Sequence, residues 1–269
     1  MNPVPAGANV SNGAHRADKR APRRANGSEI ARHPALVSVI IPAFNGDRYL
    51  ADAIQSVVAQ TYRPLELIVI DDGSTDRTAD VVRAFDRIRY AFQAHAGLGA
   101  ALNHGVRLAR GAFFAFLDAD DLWPARKLTK QMSCFEGDEC LDIVFGHVRP
   151  FVGDERPRDG EAAAQSVPGY SKGTMLVTRE AFMRVGPFDP GWRVGDFVDW
   201  YVRALDVGLR SLMLADVLLY RRIHGNNMGV RDRAHWKDYA RILKRALDRG
   251  HKPLEHSDTV TLASDVTIV

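Results

Sequence analysis

At 269 residues and 46% apolar composition, the chain can bury a substantial core as one large domain or two smaller ones. Its 36 Lys and Arg exceed its 33 Asp and Glu by three, yet residues 1–35 alone carry +4, from Arg16, Lys19, Arg20, Arg23, Arg24 and Arg32 against Asp18 and Glu29. The remainder, at −1, lacks the positive field of a dedicated nucleic-acid binder, and no nucleic-acid partner is expected. Two cysteines, Cys134 and Cys140, exclude a disulfide-dense scaffold, and the longest apolar run, Ala112–Leu117, falls far short of the ~20 residues that cross a bilayer.

Residues 1–35 are rich in Ala, Asn, Gly, Pro and Arg and lack the apolar stretch of a secretory signal, so they are read as a disordered basic tail in a cytoplasmic protein. From Leu36 the pattern changes. Leu36–Ile41 is a short β-branched apolar run stopped by Pro42, which predicts a strand buried on both faces. Tyr49–Gln60 places Leu50, Ala53, Ile54, Val57 and Val58 on one helical face. A second strand, Leu65–Ile70, ends in Asp71-Asp72-Gly73-Ser74-Thr75-Asp76, whose Ser and Thr are expected to cap a helix reaching Phe85. A third strand near Ile88–Phe92 precedes a helix over 99–109, and a fourth, Phe113–Leu117, runs into Asp118-Ala119-Asp120-Asp121 and a helix after Pro124.

This alternation predicts right-handed crossovers and a doubly wound, mainly parallel α/β sheet flanked by helices in a single domain over 36–230. Ligands in such sheets bind beyond the carboxyl ends of the strands, where Pro42–Asn45, Asp71–Asp76 and Asp118–Asp121 all fall. Further on, the pattern predicts a strand over 143–148, a surface loop over 149–168, a strand over 173–177, a helix over 179–185 and another over 196–205. Two strands follow, near Leu212 and Leu218. The segment 231–269 is read as a basic amphipathic helix, about 233–249, followed by a loose polar end. That helix is expected to pack on the core, with peripheral contact to a membrane's inner face as its alternative.

Two strands ending in acid pairs on one rim would repel unless a ligand is shared. Carboxylates with few other protein donors suit Mg²⁺ or Mn²⁺ bound jointly with a substrate's phosphates. The alternative is that Asp118–Asp121 favour the following helix N-terminus and that Asp71 and Asp72 belong to a turn and a helix cap. His95, His104, His147 and His235 stand apart from any motif and are read as surface or core residues.

Five stretches in order, Val37–Asn45, Gln60-Thr61-Tyr62, Ile70–Asp76, Ala101-Leu102-Asn103-His104-Gly105 and Phe116–Asp121, resemble the family 2 glycosyltransferases of GT-A fold. Gly173–Arg179, Val185–Asp189 and Arg222-Ile223-His224 fit as well. The resemblance implies an inverting enzyme that moves one sugar from a nucleotide-diphosphate donor, a UDP-sugar first among them, to a glycan, lipid or peptide acceptor. It assigns Pro42, Ala43, Phe44, Asn45, Asp71, Asp72, Asn103, Asp118 and Ala119 to the nucleotide sugar, with Phe44 stacking on the base and Asp72 bonding its edge. Asp120 and His224 become ligands of a divalent cation, Mn²⁺ or Mg²⁺, and Asp196 the general base, with Asp199 a competitor. Gly195 departs from the glutamate usual before that base, which leaves a non-catalytic nucleotide-sugar-binding protein as one alternative; a nucleotidyltransferase is another, since related sheets with acidic rims also bind nucleotides and Mg²⁺.

Overall fold

The computed structural model describes residues 34–154, 157, 166–225, 227 and 237–249. Of the tail expected over 1–35, residues 1–33 lie outside them, as does the loose end from His256. Among the described residues eight strands form one sheet: β1 (Val37–Ala43), β2 (Leu65–Asp71), β3 (Ile88–Phe92), β4 (Phe113–Phe116), β5 (Ile143–Val152), β6 (Val167–Gly169), β7 (Leu176–Thr178) and β8 (Ser211–Ile223). The order is β3-β2-β1-β4-β7-β5-β6, with β8 also paired to β5. β1 to β4 pair in parallel, β7 joins β4 and β5 antiparallel, β6 is antiparallel to β5 and β8 parallel to it. The helices among the described residues are α1 (Leu50–Val58), α2 (Thr78–Arg83), α3 (Leu98–Leu108), α4 (Lys127–Gly137), α5 (Arg179–Val185), α6 (Asp196–Asp206) and α7 (Lys237–Asp248). None of the described helices is long and apolar enough to cross a membrane.

The strand sequences dictate the layering. Successive side chains on a strand point to opposite faces, and β1 is apolar at nearly every position because both faces are covered. Val37, Val39 and Ile41 pack with Leu50, Ile54 and Val57 of α1 and with Leu128 and Met132 of α4. Ile40 faces the other way, into a layer with Leu102 and Val106 of α3, Phe182 of α5 and Trp200 of α6. Chain order explains the division. From β1 to β3 the sheet grows in one direction, whereas β4 returns to the other side of β1, so right-handed crossovers put α1 and α3 on opposite faces. The reversal lies between β1 and β4, and a ligand crevice belongs at their carboxyl ends.

α3 approaches β1 so closely that a Cβ on Gly105 would lie 2.4 Å from Ile40 Cγ2. Gly105→Val should overpack this contact by roughly 1–3 kcal/mol and lower the melting temperature by roughly 3–10 °C. An unchanged transition in scanning calorimetry would mean that α3 can slide on the sheet.

Several expectations need correction. The two strands near Leu212 and Leu218 are one strand, β8. Its pairing jumps from Phe145↔Met213 to His147↔Val217, so Leu214–Asp216 bulge opposite Gly146 where the sequence pattern reads as a break. The stretch from Arg149 is a continuation of β5 as far as Val152, held by β8. The strand expected over 173–177 is confined to β7, and the helix after Pro124 begins at Lys127. α2 is not capped by Ser74 or Thr75: Arg77 occupies the N-cap, and Asp76 accepts from Thr78 N at 2.9 Å. α5 coincides with its expected span, its N-terminus capped by Thr178 Oγ1, which accepts from Ala181 N.

Candidate active site

A cleft of about 1180 Å³ opens at the carboxyl ends of β1 and β4. On one side β1 runs out through Pro42 and Ala43 into Phe44 and Asn45. Asn45 adopts a left-handed conformation (φ 51°), which Asn tolerates better than most residues. Its Oδ1 accepts from Thr75 N at 2.8 Å while its own N–H donates to Ser74 Oγ at 2.9 Å. The loops after β1 and β2 are thereby laced together. Phe44, 43% exposed, stacks on His95 with ring centroids 4.2 Å apart.

Asp72 sets that histidine in place. Its Oδ1 accepts from Gln93 Nε2 (2.7 Å) and Ala96 N (2.9 Å), and its Oδ2 accepts from Gly97 N (2.9 Å) with His95 Nδ1 at 2.8 Å. A carboxylate offers about four lone-pair positions, so with these partners in place none is left for a base edge. Asp71 also turns inward. It accepts from Ser74 N and from the Tyr90 hydroxyl, whose pKa is pushed up to about 12 by burial and by this carboxylate. Asn103 spends its amide on the backbone of Phe188, donating to the carbonyl at 2.8 Å and accepting from the N–H at 3.0 Å. Asp71 and Asn103 do not line the cleft. Both stand where the motif suggests a ligand contact and instead tie loops to the sheet.

Opposite, β4 delivers Asp118, Ala119, Asp120 and Asp121 to the floor. The turn is fixed by Leu122 bridging Tyr220 and by the buried Arg222, whose N–H donates to Asp121 Oδ1 (2.9 Å) and whose Nε donates to the Asp120 carbonyl (3.1 Å). Arg222 also reaches Asp52 and lies over the Tyr49 ring, which stacks on His224. His224 Nε2 stands 3.0 Å from Asp120 Oδ2. Burial, and then the neighbouring Asp118, push the Asp120 carboxyl above its ordinary pKa. Asp121 is driven further by burial and by Asp120 and Asp118. A cation here would relieve that repulsion.

The third wall begins at Gly195, left-handed at φ 83°, which opens α6 and leaves Asp196 at the cleft. Asp196 Oδ2 is buried without a hydrogen-bond partner. Asp199 points elsewhere, to Arg203 Nε at 2.9 Å, and does not line the cleft. Burial raises the Asp196 pKa, and Lys172 opposes it. The Lys172 ammonium lies 3.2 Å from Asp118 Oδ2; burial works against its charge, but Asp118 and Asp196 outweigh that and hold its pKa above the ordinary lysine value. A Cβ on Gly195 would lie 2.7 Å from Ile242 Cδ1 and 3.1 Å from the Tyr239 ring, so α7 packs where a glutamate side chain would begin.

The structure thus brings Pro42, Ala43, Phe44, Asn45, Asp72, Asp118, Ala119, Asp120, Asp196 and His224 to one cleft. Lys172, Tyr49 and Tyr239 also line it and carry no motif signal. His95, set aside in the sequence as an isolated residue, is the stacking partner of Phe44.

A model of the family described as glycosyl transferase family 2 matches residues 38–194. An uncharacterized glycosyltransferase of Nostoc sp. is 34% identical over 215 residues, 71% of this chain and 66% of that one; another, from Rickettsia typhi, is 38% identical over 205 residues, 70% and 64%. The chain therefore spans less than two thirds of the length of these curated relatives. Among solved structures, Staphylococcus aureus TarS 1–349 in complex with UDP-GlcNAc superposes with TM-score 0.64 at 19% identity, covering 82% of this chain and 68% of that one. The mannosyltransferase PcManGT of Pyrobaculum calidifontis, in complex with GDP-Man and Mn²⁺, gives 0.63 at 23% identity, covering 82% and 67%. The fold is GT-A, and with the family model matching more than half of its length the chain belongs to glycosyl transferase family 2.

Proposed function

We propose that the chain transfers one sugar from a nucleotide-diphosphate donor to an acceptor hydroxyl by single displacement, with inversion at the anomeric carbon. The observation that carries this reading is the arrangement within one cleft of an exposed aromatic stack, an Asp–His pair and a buried carboxylate oxygen without a partner. The nucleotide sugars bound by two proteins of the same fold support it.

In this reading Phe44, backed by His95, stacks on the base, while Pro42, Ala43 and Asn45 shape its seat. Asp72 acts indirectly, by holding His95 and the loop after β3. Asp118 and Lys172 form a charged pair beside Ala119, facing the sugar and diphosphate. Among the described residues no three His, Cys, Asp or Glu side chains group as a metal cage. Two donors at 3.0 Å in a carboxylate-rich floor nevertheless fit a divalent cation that completes its shell with phosphate oxygens and water. Asp120 and His224 would hold that cation, which when bound supplies Lewis-acid neutralisation of charge on the departing diphosphate. Asp196 takes the acceptor's proton, and Lys172 supplies the positive charge that favours its ionised form. Gly195, the one feature that suggests a non-catalytic protein, is accounted for by the packing of α7.

The test is a thermal-shift panel of UDP- and GDP-sugars with and without Mn²⁺. A donor at 100 times its dissociation constant should stabilise the protein by about 2.7 kcal/mol. No shift with any nucleotide sugar would sink the donor assignment.

A further inference from the structure

Lys127, the first residue of α4, is wholly buried although it lies outside the cleft. Burial pushes its pKa well below the ordinary lysine value, a standing cost to the fold. Its Nζ lies 4.2 Å from the centre of the Trp123 ring and donates to Gln131 Oε1 at 2.6 Å, one turn along the helix. Gln131 is buried as completely, and its Nε2 donates to two carbonyls, Val144 O of β5 at 2.7 Å and Thr174 O at 2.8 Å. Carbonyls only accept, so the NH₂ end of the amide must face them and Oε1 must face Lys127, whose amine can donate in either protonation state. Trp123 Nε1 donates to the neighbouring carbonyl, Gly173 O, at 3.0 Å.

These bonds converge on the turn that carries Lys172. Within it, Thr174 Oγ1 donates toward the carbonyls of Gly169 and Ser171, and Met175 N toward those of Ser171 and Lys172. The carbonyls of Gly173 and Thr174 take their donors from outside the turn, from the Trp123 and Gln131 side chains. A buried carbonyl stripped of its donor is costly, so the turn keeps this place only while both donors remain. Lys172 reaches from it into the cleft, its Nζ 3.2 Å from Asp118 Oδ2, and Asp196 adds to the field that holds the ammonium charged. α4 packs with α1 on one face of the sheet and α6 lies on the other. The support for Lys172 therefore comes from the layer opposite the one that carries Asp196.

We propose that Trp123 and Gln131, with Lys127 ordering the amide, are positioning residues for Lys172: they fix the turn over 171–174 so that its ammonium is held against Asp118, where its charge acts on Asp196. This rests on the proposed function, in which that charge favours ionised Asp196. The tolerance is small, since moving the turn by about 1 Å would carry the 3.2 Å contact out of hydrogen-bond range. The other charged and titratable groups around the pair are Asp121 at the end of β4, Arg221 of β8 and Tyr239 of α7, and none of the substitutions below alters them.

Two readouts on the full chain test this. Gln131→Met and Trp123→Phe keep apolar bulk and lose the donors, and Met132→Ala is a control that hollows α4 away from these bonds. In proton–carbon NMR spectra of protein carrying lysine labelled at Cε, the Lys172 signal is identified by its loss in Lys172→Met. In the parent it should titrate above the exposed lysines, because Asp118 and Asp196 hold its charge. In either donor variant it should titrate about one pH unit or more lower, and in Met132→Ala as in the parent. The second readout is the pH profile of UDP-glucose or GDP-mannose hydrolysis, with water as acceptor. Each donor variant should move its acidic limb upward, as Lys172→Met does, and Gln131→Met combined with Lys172→Met should move it no further than Lys172→Met alone. Parental titration of Lys172 in both donor variants overturns the positioning role, and so does an equal fall in all three variants, Met132→Ala included, which would mark a general loss of packing. A lowered Lys172 titration in the donor variants alone, with the acidic limb unmoved in them and in Lys172→Met, upholds the positioning role and overturns instead the part given to Lys172 at Asp196.

Discussion

Asp196→Asn should lower sugar transfer by roughly 10²–10⁴-fold while leaving nucleotide-sugar affinity near the parental value, because the amide keeps the carboxylate's shape but cannot take a proton. Initial-rate kinetics paired with donor calorimetry would separate the two quantities. The pH profile provides a second readout. Burial lifts the Asp196 pKa, with Lys172 pulling against it, and the ionised form is the base, so turnover should fall as pH drops through that raised value. Lys172→Met removes the opposing charge and should move the acidic limb to higher pH. Asp199→Asn should not mimic the Asp196 variant, since Asp199 is engaged by Arg203 away from the cleft. Collapse of activity in the Asp199 variant with near-normal turnover in the Asp196 variant would transfer the assignment.

Asp120→Ala and His224→Ala should each cut turnover by roughly 10³-fold or more, a loss of several kcal/mol of stabilisation at the leaving diphosphate. The diagnostic quantity is the dependence of donor binding on metal. The parent should lose most of its donor affinity when Mn²⁺ is replaced by a chelator, whereas the Asp120 variant should bind weakly under both conditions. Equal affinity and equal metal dependence in parent and variants would rule out this pair as the cation's seat.

Legibility in the sequence followed the range of the interactions involved. β1, β2 and β4 could be read from their apolar runs because burial on both faces leaves little room for polar residues, and the acidic ends of β2 and β4 marked the rim for the same reason. Residue type did not reveal which way each polar side chain turns. Asp71, Asp72 and Asn103 sit in the motif expected to meet ligand, yet their partners are Tyr90, Gln93, His95 and Phe188, from 19 to 85 residues away along the chain. Lys172 is a single cation in a polar stretch, and only the antiparallel insertion of β7 between β4 and β5 carries that stretch to Asp118 and Asp196. β8 reads as two strands because Asp216 interrupts its apolar pattern, and a bulge is a property of the pair of strands rather than of either alone.

The packing at Gly195 also sets an exclusion rule for related sequences. A side chain at that position and Ile242 of α7 claim the same volume. A relative with glutamate there must therefore turn the isoleucine's terminal methyl aside, carry its last helix differently, or dock it through a smaller residue. The two positions, 47 residues apart in sequence, should covary as glycine with a bulky apolar residue or glutamate without one, which sorts family members by how the wall beside their base is built before any of their structures is known.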